Sequence, residues 1–239
     1  MMANNEVGTI LPIKELCAIA HERGSLFHTD AIQAIGKIKV DVADLEVDML
    51  SISGHKFYAP KGIGALYVRK GIELEPLVHG GNQEGGLRAG TENVPSIVGL
   101  GKAAELASYA LRDYEKIKAL RDKLEMGVRE LVPEARLNGH RENRLPNTLN
   151  LTLPGLRGES LVVAMDQHGI SMSSGSACKS GSPEPTHVLI AMNRTEEEAH
   201  CSVRFSLSPD TTDEDIEETI SALALVLEEK SLVRLMPCK

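Results

Sequence analysis

Short apolar segments that lack the alternation of a half-exposed strand constrain the fold of this chain most. They span residues 25–30, 48–52 and 62–68, and a helical pattern over residues 12–22 precedes them. Strands that are apolar on both sides are typical of sheets covered by helices on both faces. The alternation of such strands with helices predicts an α/β fold built on a mainly parallel sheet.

The first two of these segments end in polar residues that can bind a ligand. Asp30 closes the first segment, and Ser53-Gly54-His55-Lys56 follows the second. In parallel sheets, ligands bind at the carboxyl ends of the strands, where we expect both groups to lie. A lysine in such a place can form an imine with an aldehyde once its amine is neutral. From the local pattern alone, an exposed loop lysine is the simpler interpretation.

A helical pattern over residues 94–131 divides the chain, because it is longer than an ordinary helix and helices of this kind often connect two domains. We therefore place a boundary near residue 111, which gives domains at 1–111 and 112–239. The strands predicted beyond the boundary span 136–139, 148–153, 170–172 and 202–207. The helices predicted there span 159–168, 187–192, 195–200 and 212–230.

Two loops stand out by their small residues. Residues 79–91 are too rich in glycine for regular structure, and their backbone amides, with Arg88 and Thr91, can hold an anion. Residues 173–182 are mostly serine, glycine and alanine and include Cys178. A loop of this composition buries little surface, so we expect it to be mobile.

Charge and cysteine content exclude several classes of function. The net charge is −8 and no run of lysine or arginine forms a basic stripe, which argues against a nucleic-acid partner. The sequence has no apolar segment long enough to span a bilayer and no signal-peptide pattern, so we expect no membrane association. The four cysteines lack the spacing of a zinc site or a disulfide framework, which favours a reducing, cytoplasmic setting and no metal.

The polar residues of the first half match the needs of pyridoxal 5'-phosphate. Asp30 can pair with a protonated ring nitrogen, and Lys56 can form the imine. Gln33, Ser53 and His55 can hydrogen-bond ring substituents or phosphate. Each residue also has a simpler explanation, since Asp30 can cap the turn that follows it and His55 can be a structural histidine.

Six short motifs occur along the chain in the order found in one enzyme family. They are Asn4-Asn5-Glu6-Val7-Gly8, His28-Thr29-Asp30-Ala31-Ile32-Gln33, Ser53-Gly54-His55-Lys56, Gly90-Thr91, Ser174-Gly175-Ser176-Ala177-Cys178 and Arg204-Phe205-Ser206-Leu207. Through these motifs the chain resembles the cysteine desulfurases of the NifS/IscS type, class V of the fold-type I pyridoxal phosphate enzymes. The resemblance implies a partial large cofactor-binding domain at 1–111 and a smaller α+β domain at 112–239, which carries the catalytic cysteine loop.

The resemblance also implies a set of cofactor-binding residues, with pyridoxal 5'-phosphate as the cofactor. They are Asn5, Asp30, Gln33, Ser53, His55, Lys56 and Thr91. Lys56 would carry the Schiff base, Asp30 would pair with the pyridine nitrogen, and Thr91 would reach a phosphate in the neighbouring subunit of a homodimer.

Catalysis by Cys178, Lys56 and His55 is the activity that the resemblance implies. L-Cysteine would be converted to L-alanine, with Arg204 and Asn5 binding the substrate and a persulfide forming on Cys178. The sulfur would pass to an iron–sulfur scaffold protein or a related acceptor. The family has a further N-terminal part, which we expect this chain to lack. Two alternatives stay open: a class V enzyme of the selenocysteine lyase type, and a truncated, non-catalytic interaction fragment.

Overall fold

The computed structural model describes residues 1–174 and 184–228 of the chain. Within these residues the chain forms two compact units, each built on a sheet of its own. The first unit comprises residues 1–2 and 11–111, and the second comprises residues 3–10 and the described chain from residue 112 onward.

Residues 3–10 depart from the division made on the sequence, which placed them in the first domain. In the structure Thr9 pairs with Arg144, and the Gly8 carbonyl accepts a hydrogen bond of 2.8 Å from the Leu145 N–H. Buried backbone groups must find partners. The partners of this segment lie in the second half of the chain, and they determine the unit to which it belongs.

The first unit has a three-stranded sheet whose strand order is the same as the order in the chain. Its elements are α1 (Ile13–Glu22), β1 (His28–Asp30), α2 (Val42–Leu45), β2 (Met49–Ser53), β3 (Gly64–Val68) and α3 (Val94–Ala110). Strand β1 is parallel to β2, and β3 is antiparallel to β2. The strands and helices expected from the sequence are present, and the sheet that they form here is mixed.

The second unit has a four-stranded antiparallel sheet with the order β4-β5-β7-β6. Its strands are β4 (Arg136–Leu137), β5 (Thr148–Thr152), β6 (Ser173–Ser174) and β7 (Ser202–Ser206). Its helices are α4 (Tyr114–Leu131), α5 (Gly158–Gln167), α6 (His187–Ala191), α7 (Glu196–His200) and α8 (Asp213–Glu228). Every residue of β5 is buried, and apolar side chains of α4, α5 and α8 complete the core.

Two expectations about this half of the chain are wrong. The helix expected over residues 94–131 is interrupted by a 3₁₀ turn at Leu111–Asp113, where the chain passes from one unit to the other. The strand expected at 170–172 lies at Ser173–Ser174 instead, because these are the residues that reach the ladder of β7.

A buried carboxylate joins the elements of the first unit. The Asp48 side chain is fully buried, and its Oδ2 atom lies 2.9 Å from His21 Nε2 and accepts a 2.5 Å hydrogen bond from the Phe27 N–H. Arg69 forms an ion pair with the other oxygen. Burial alone would raise the pKa of Asp48, but the hydrogen bonds from His21 and Phe27 and the charge of Arg69 outweigh it. They hold the pKa below the ordinary value of 3.8.

Replacement of Asp48 by asparagine tests this link. We expect Asp48→Asn to lower the free energy of unfolding at pH 7 by about 2 kcal/mol, less than for a fully buried ion pair because Arg69 and His21 still reach solvent. A lowered folded-state pKa gives stability that is present above pH 3.8 and is lost as the pH falls through the folded-state value. The wild type should therefore lose more stability than the variant between pH 5 and pH 3, measured by urea unfolding.

The matched control for this experiment is Asp44→Asn, the same chemical change at an exposed residue whose partner is Lys14 at 2.8 Å. Exposed ion pairs contribute little, so this variant should stay close to the wild type at pH 7. Equal losses in the two variants at pH 7 would contradict a special role for Asp48.

In the second unit, helices α4 and α8 approach each other closely at Gly127. A Cβ atom added there would lie 2.3 Å from Cδ1 and 2.8 Å from Cγ1 of Ile220. The contact therefore leaves no room for a side chain at position 127. Gly101 in α3 offers a contrast, since nothing lies within 4 Å of a Cβ added at that position.

The same substitution at the two glycines should have opposite effects. We expect Gly127→Ala to lower the free energy of unfolding by about 1–3 kcal/mol, because Ile220 must move within a packed core. Gly101→Ala should raise it by about 0.5–1 kcal/mol, because alanine loses less backbone entropy in a helix. Thermal unfolding of both variants measures the difference, and a stabilised Gly127→Ala would show that the close approach is incorrect.

Candidate functional site

The carboxyl ends of β1 and β2 meet at one edge of the first sheet. The strands are parallel, with Asp30 paired in register with Ser51, so that Asp30 ends β1 where β2 approaches its own end at Ser53. A 3₁₀ turn over Gly54–Phe57 follows directly. Asp30 and Ser53 therefore end two neighbouring strands at one edge of the sheet, and His55 and Lys56 lie in the turn that follows Ser53.

Asp30 is half-buried and already has a structural task. Its Oδ1 atom accepts a hydrogen bond of 2.7 Å from the Ile32 N–H, while the Ala31 N–H donates to the Ser51 carbonyl at 3.0 Å. The capping role that the sequence allowed for Asp30 is thus present. The contact also fixes the direction of the carboxylate at the end of the strand.

The turn that carries Lys56 is held at both ends by buried residues. A Cβ on Gly54 would lie 2.9 Å from the Cβ of Ala59, and the Gly54 N–H donates to the Ile63 carbonyl at 2.9 Å. Phe57 packs against Ala59 in a small apolar cluster. Between these anchors His55 and Lys56 are exposed.

A hydroxyl and an imidazole lie side by side at the start of this turn. Ser53 Oγ is 2.9 Å from His55 Nδ1. In a neutral imidazole, either the Ser53 hydroxyl or the His55 Nε2–H is left to donate to an anion, according to the tautomer. The exposed amine of Lys56, the next residue, belongs to the same 3₁₀ turn as His55.

Gln33 and the glycine-rich segment both take part in side-chain hydrogen bonds. The Gln33 amide oxygen accepts a hydrogen bond of 2.9 Å from the Lys37 ammonium. In the glycine-rich segment, Glu84 and Gly85 have positive φ angles of 51° and 66°, so that residues 79–91 form a loop without a regular helix, as predicted. The Gln83 side chain organises this loop, because it accepts a hydrogen bond of 3.1 Å from the Gly90 N–H. Thr91 is exposed.

In the second unit the structure brings Arg204 and Asn5 together. Arg204 lies on β7, the strand between β5 and β6, and is half-buried. Its Nη1 atom donates a hydrogen bond of 2.7 Å to the Asn5 carbonyl. These two residues are 199 positions apart in sequence. Cys178 lies outside the described residues.

Glu6 and Thr186 are functional candidates that the sequence did not reveal. Glu6 is only 1% exposed, and its carboxylate accepts a hydrogen bond from the Thr186 hydroxyl. Glu6 belongs to the motif that carries Asn5, and its burial, which is unusual for an acid, is visible only in the structure. Sequence alone gave no sign that its partner would be a threonine 180 positions away.

A cysteine, a histidine and an aspartate also meet in the first unit, at Cys17, His21 and Asp48. The Cys17 sulfur lies 3.6 Å from His21 Nε2 and 3.9 Å from Nδ1, and Asp48 Oδ2 lies 2.9 Å from Nε2. The shorter sulfur contact is thus to the nitrogen that Asp48 already holds, whereas the base of a nucleophilic triad contacts its two partners through different nitrogens. Burial raises the pKa of the Cys17 thiol, and the charges of Asp48 and Glu46 raise it further. The cluster is therefore structural, and both Cys17 and Cys201 are buried.

The described part of the chain contains no group of three or more metal-ligating side chains placed to hold an ion. Among the same residues, none of the helices has the length and apolar character needed to cross a bilayer.

Comparison with known proteins shows which family the chain resembles. Residues 1–219 match the model of the aminotransferase class-V family. A cysteine desulfurase of Gluconacetobacter diazotrophicus is 54% identical over 224 residues, which are 93% of this chain and 56% of that protein. The cysteine desulfurase NifS of Azotobacter vinelandii is 50% identical over 92% of this chain and 55% of its own length. The chain thus spans little more than half the length of the curated relatives it matches.

Solved structures agree with the sequence comparison. A NifS-like protein has a TM-score of 0.87 at 39% identity, over 96% of this chain and 60% of that one. A NifS-like protein from Rickettsia africae has a TM-score of 0.85 at 36% identity, over 95% of this chain and 60% of that one. These structures confirm the fold class expected from the sequence. The chain belongs to the aminotransferase class V family, whose members depend on pyridoxal phosphate.

Proposed function

We propose that this chain is a cysteine desulfurase, which converts L-cysteine to L-alanine and holds the released sulfur as a persulfide on Cys178. The observation that carries the proposal is the convergence of Asp30, Ser53 and the His55-Lys56 pair at one edge of the first sheet. The names of the relatives support it, since both curated proteins compared above are called cysteine desulfurases.

The residues at this edge fit pyridoxal 5'-phosphate. Lys56 offers the amine that its aldehyde requires, and Asp30 offers a carboxylate for the ring nitrogen. The Ser53–His55 pair offers a donor for the phosphate from one of its two members, according to the tautomer of His55. When bound, the cofactor draws electrons away from the substrate Cα and so makes its proton acidic. Lys56 Nζ can accept a proton, and so can His55 Nε2 in the tautomer whose Nδ1–H donates to Ser53 Oγ.

Three further residues complete the proposed cofactor site. Gln33 and Asn5 are assigned to the phenolic-oxygen side of the ring and Thr91 to the phosphate of a second subunit. The Gln33 amide oxygen bonds Lys37 in this structure, which leaves its NH₂ group as the donor to be offered. A homodimer and a cytoplasmic location belong to the same proposal.

We propose that Arg204 binds the substrate carboxylate. A guanidinium presents parallel N–H donors that match the two oxygens of a carboxylate. The bond from Nη1 to the Asn5 carbonyl limits the rotation of the guanidinium. Asn5 thereby contributes to substrate binding through its backbone, in addition to any contact of its side chain.

Cys178 is the proposed acceptor of sulfur. Its thiolate attacks the substrate sulfur, a new S–S bond forms on Cys178, and the C–S bond of the substrate breaks. The electron pair of that bond stays with the substrate carbon, which takes up a proton and leaves as alanine. An iron–sulfur scaffold or a related acceptor would then receive the sulfur. One solved relative is named as SspA in complex with cysteine, which supports L-cysteine as the substrate.

The cofactor role of Lys56 can be tested directly in this chain. After incubation with pyridoxal phosphate and reduction with borohydride, peptide mass spectrometry should find the adduct on Lys56, because its neighbours hold the ring and phosphate. Lys56→Arg should abolish this adduct. Lys61→Arg, at an exposed lysine five residues away, is the matched control and should leave it unchanged. Labelling spread evenly over Lys56 and Lys61 would contradict a specific site.

The sulfur-acceptor role is tested with L-cysteine and the same cofactor. The chain, with pyridoxal phosphate bound, should form alanine and a persulfide that maps to Cys178, and Cys178→Ser should reduce sulfide release in the presence of reductant to background. Cys238→Ser is the control, since it removes a thiol of the same chain without touching the proposed acceptor. Undiminished sulfide release by Cys178→Ser would show that another group accepts the sulfur.

A further inference from the structure

One peptide group in the second unit is held from both sides. It joins Asn5 to Glu6: the Glu6 N–H donates a hydrogen bond of 2.9 Å to Asn4 Oδ1, and the Asn5 carbonyl accepts one of 2.7 Å from Arg204. Because a peptide group is planar and stiff, these two hydrogen bonds fix the same rigid peptide plane from opposite sides. The orientation of this peptide plane therefore determines where the Asn5 carbonyl accepts the hydrogen bond from Arg204.

Glu6 connects this peptide plane to the rest of the second unit. Its side chain is buried and its carboxylate accepts the hydrogen bond of the Thr186 hydroxyl, while its own carbonyl accepts a bond of 3.1 Å from the fully buried Asn150 amide. A buried carboxylate is costly unless its charge is met by hydrogen bonds. The Thr186 contact is thus strongly favoured, and it holds residue 6 in one place.

Thr186 is itself part of a helix start. It is the N-cap of α6, where its hydroxyl oxygen accepts a hydrogen bond of 3.3 Å from the Val188 N–H. The next residue after Glu6, Val7, packs against Leu189 of the same helix in a small apolar cluster. A polar contact and an apolar contact therefore join residues 6–7 to α6, so that the two segments are expected to move together.

From these contacts we propose that Glu6 and Thr186 are positioning residues for Arg204, acting through the Asn5–Glu6 peptide plane. This inference rests on the proposed function, which gives Arg204 the substrate carboxylate. Bidentate recognition of a carboxylate depends on the direction of the guanidinium plane. A loosened Asn5 carbonyl lets that plane rotate and weakens substrate binding before it affects the chemistry of sulfur transfer.

The test uses threonine variants that differ only in the hydroxyl. Thr186→Val removes the hydroxyl at nearly constant volume, and Thr186→Ser keeps it. Thr219→Val on α8 is the matched control, since Thr219 is similarly buried, at 9% exposure against 7%, and its hydroxyl donates only to the Asp215 carbonyl of its own helix. The wild type and these three variants are all made in the 239-residue chain.

The first measurement is amide hydrogen exchange, which needs neither cofactor nor activity. Thr186→Val should speed exchange at the Glu6 and Val7 amides about tenfold, because a buried hydrogen bond that holds them is lost. Exchange at Val203 in the core strand β7 should not change. Thr186→Ser and Thr219→Val should leave Glu6 and Val7 as in the wild type. Unchanged exchange at Glu6 and Val7 in Thr186→Val would overturn the inference.

The second measurement separates this inference from the proposed function. With pyridoxal phosphate bound, Thr186→Val should raise KM for L-cysteine about 3- to 10-fold with kcat nearly unchanged, and Thr186→Ser should restore it. A wild-type chain without desulfurase activity contradicts the proposed function, and the exchange result still decides whether Thr186 holds residues 6–7. Faster exchange with an unchanged KM would overturn the link to Arg204.

Discussion

The first unit depends on one carboxylate that is buried and yet kept ionised. Asp48 begins the segment that becomes β2, and its oxygens meet His21 from α1, the Phe27 amide that leads into β1, and Arg69 just after β3. A charge without these partners would have no stable place in the interior. The same contacts therefore hold the starts of β1 and β2 and the end of β3 together, at the edge of the sheet opposite to the carboxyl ends that carry the polar residues.

At the carboxyl end of β2, buried residues that hold the backbone alternate with exposed residues that can react. The turn with Lys56 has buried neighbours at Gly54 and Phe57 and exposed side chains between them. Glycine is needed at position 54 because the surrounding atoms leave no room for a side chain, although its backbone conformation is one that other residues adopt. Steric confinement of the backbone can thus hold a reactive side chain in place without contacting it.

Sequence reasoning predicted the local elements well, because strands ended by Asp30 and Ser53 carry their own signal in hydrophobic pattern and polar termini. It also proposed Arg204 as a site residue, through the resemblance to a known family. It grouped residues 3–10 with the first domain, whereas Thr9 and Gly8 have backbone partners more than 130 positions away, in the second unit. Glu6 was missed for the same reason: no local pattern encodes a hydrogen bond between residues this far apart.

Because residues 3–10 belong to the second unit, cleavage of the polypeptide at one position cannot separate the two units. The polypeptide passes between them after residue 2, after residue 10 and again after residue 111. A protein expressed from residue 112 onward would retain β7 and α6 but lose the acceptors of Arg204, Thr186 and the Asn150 amide. Dissection of this protein into independent pieces must therefore supply the segment around Glu6 separately, as a peptide that complements the second unit.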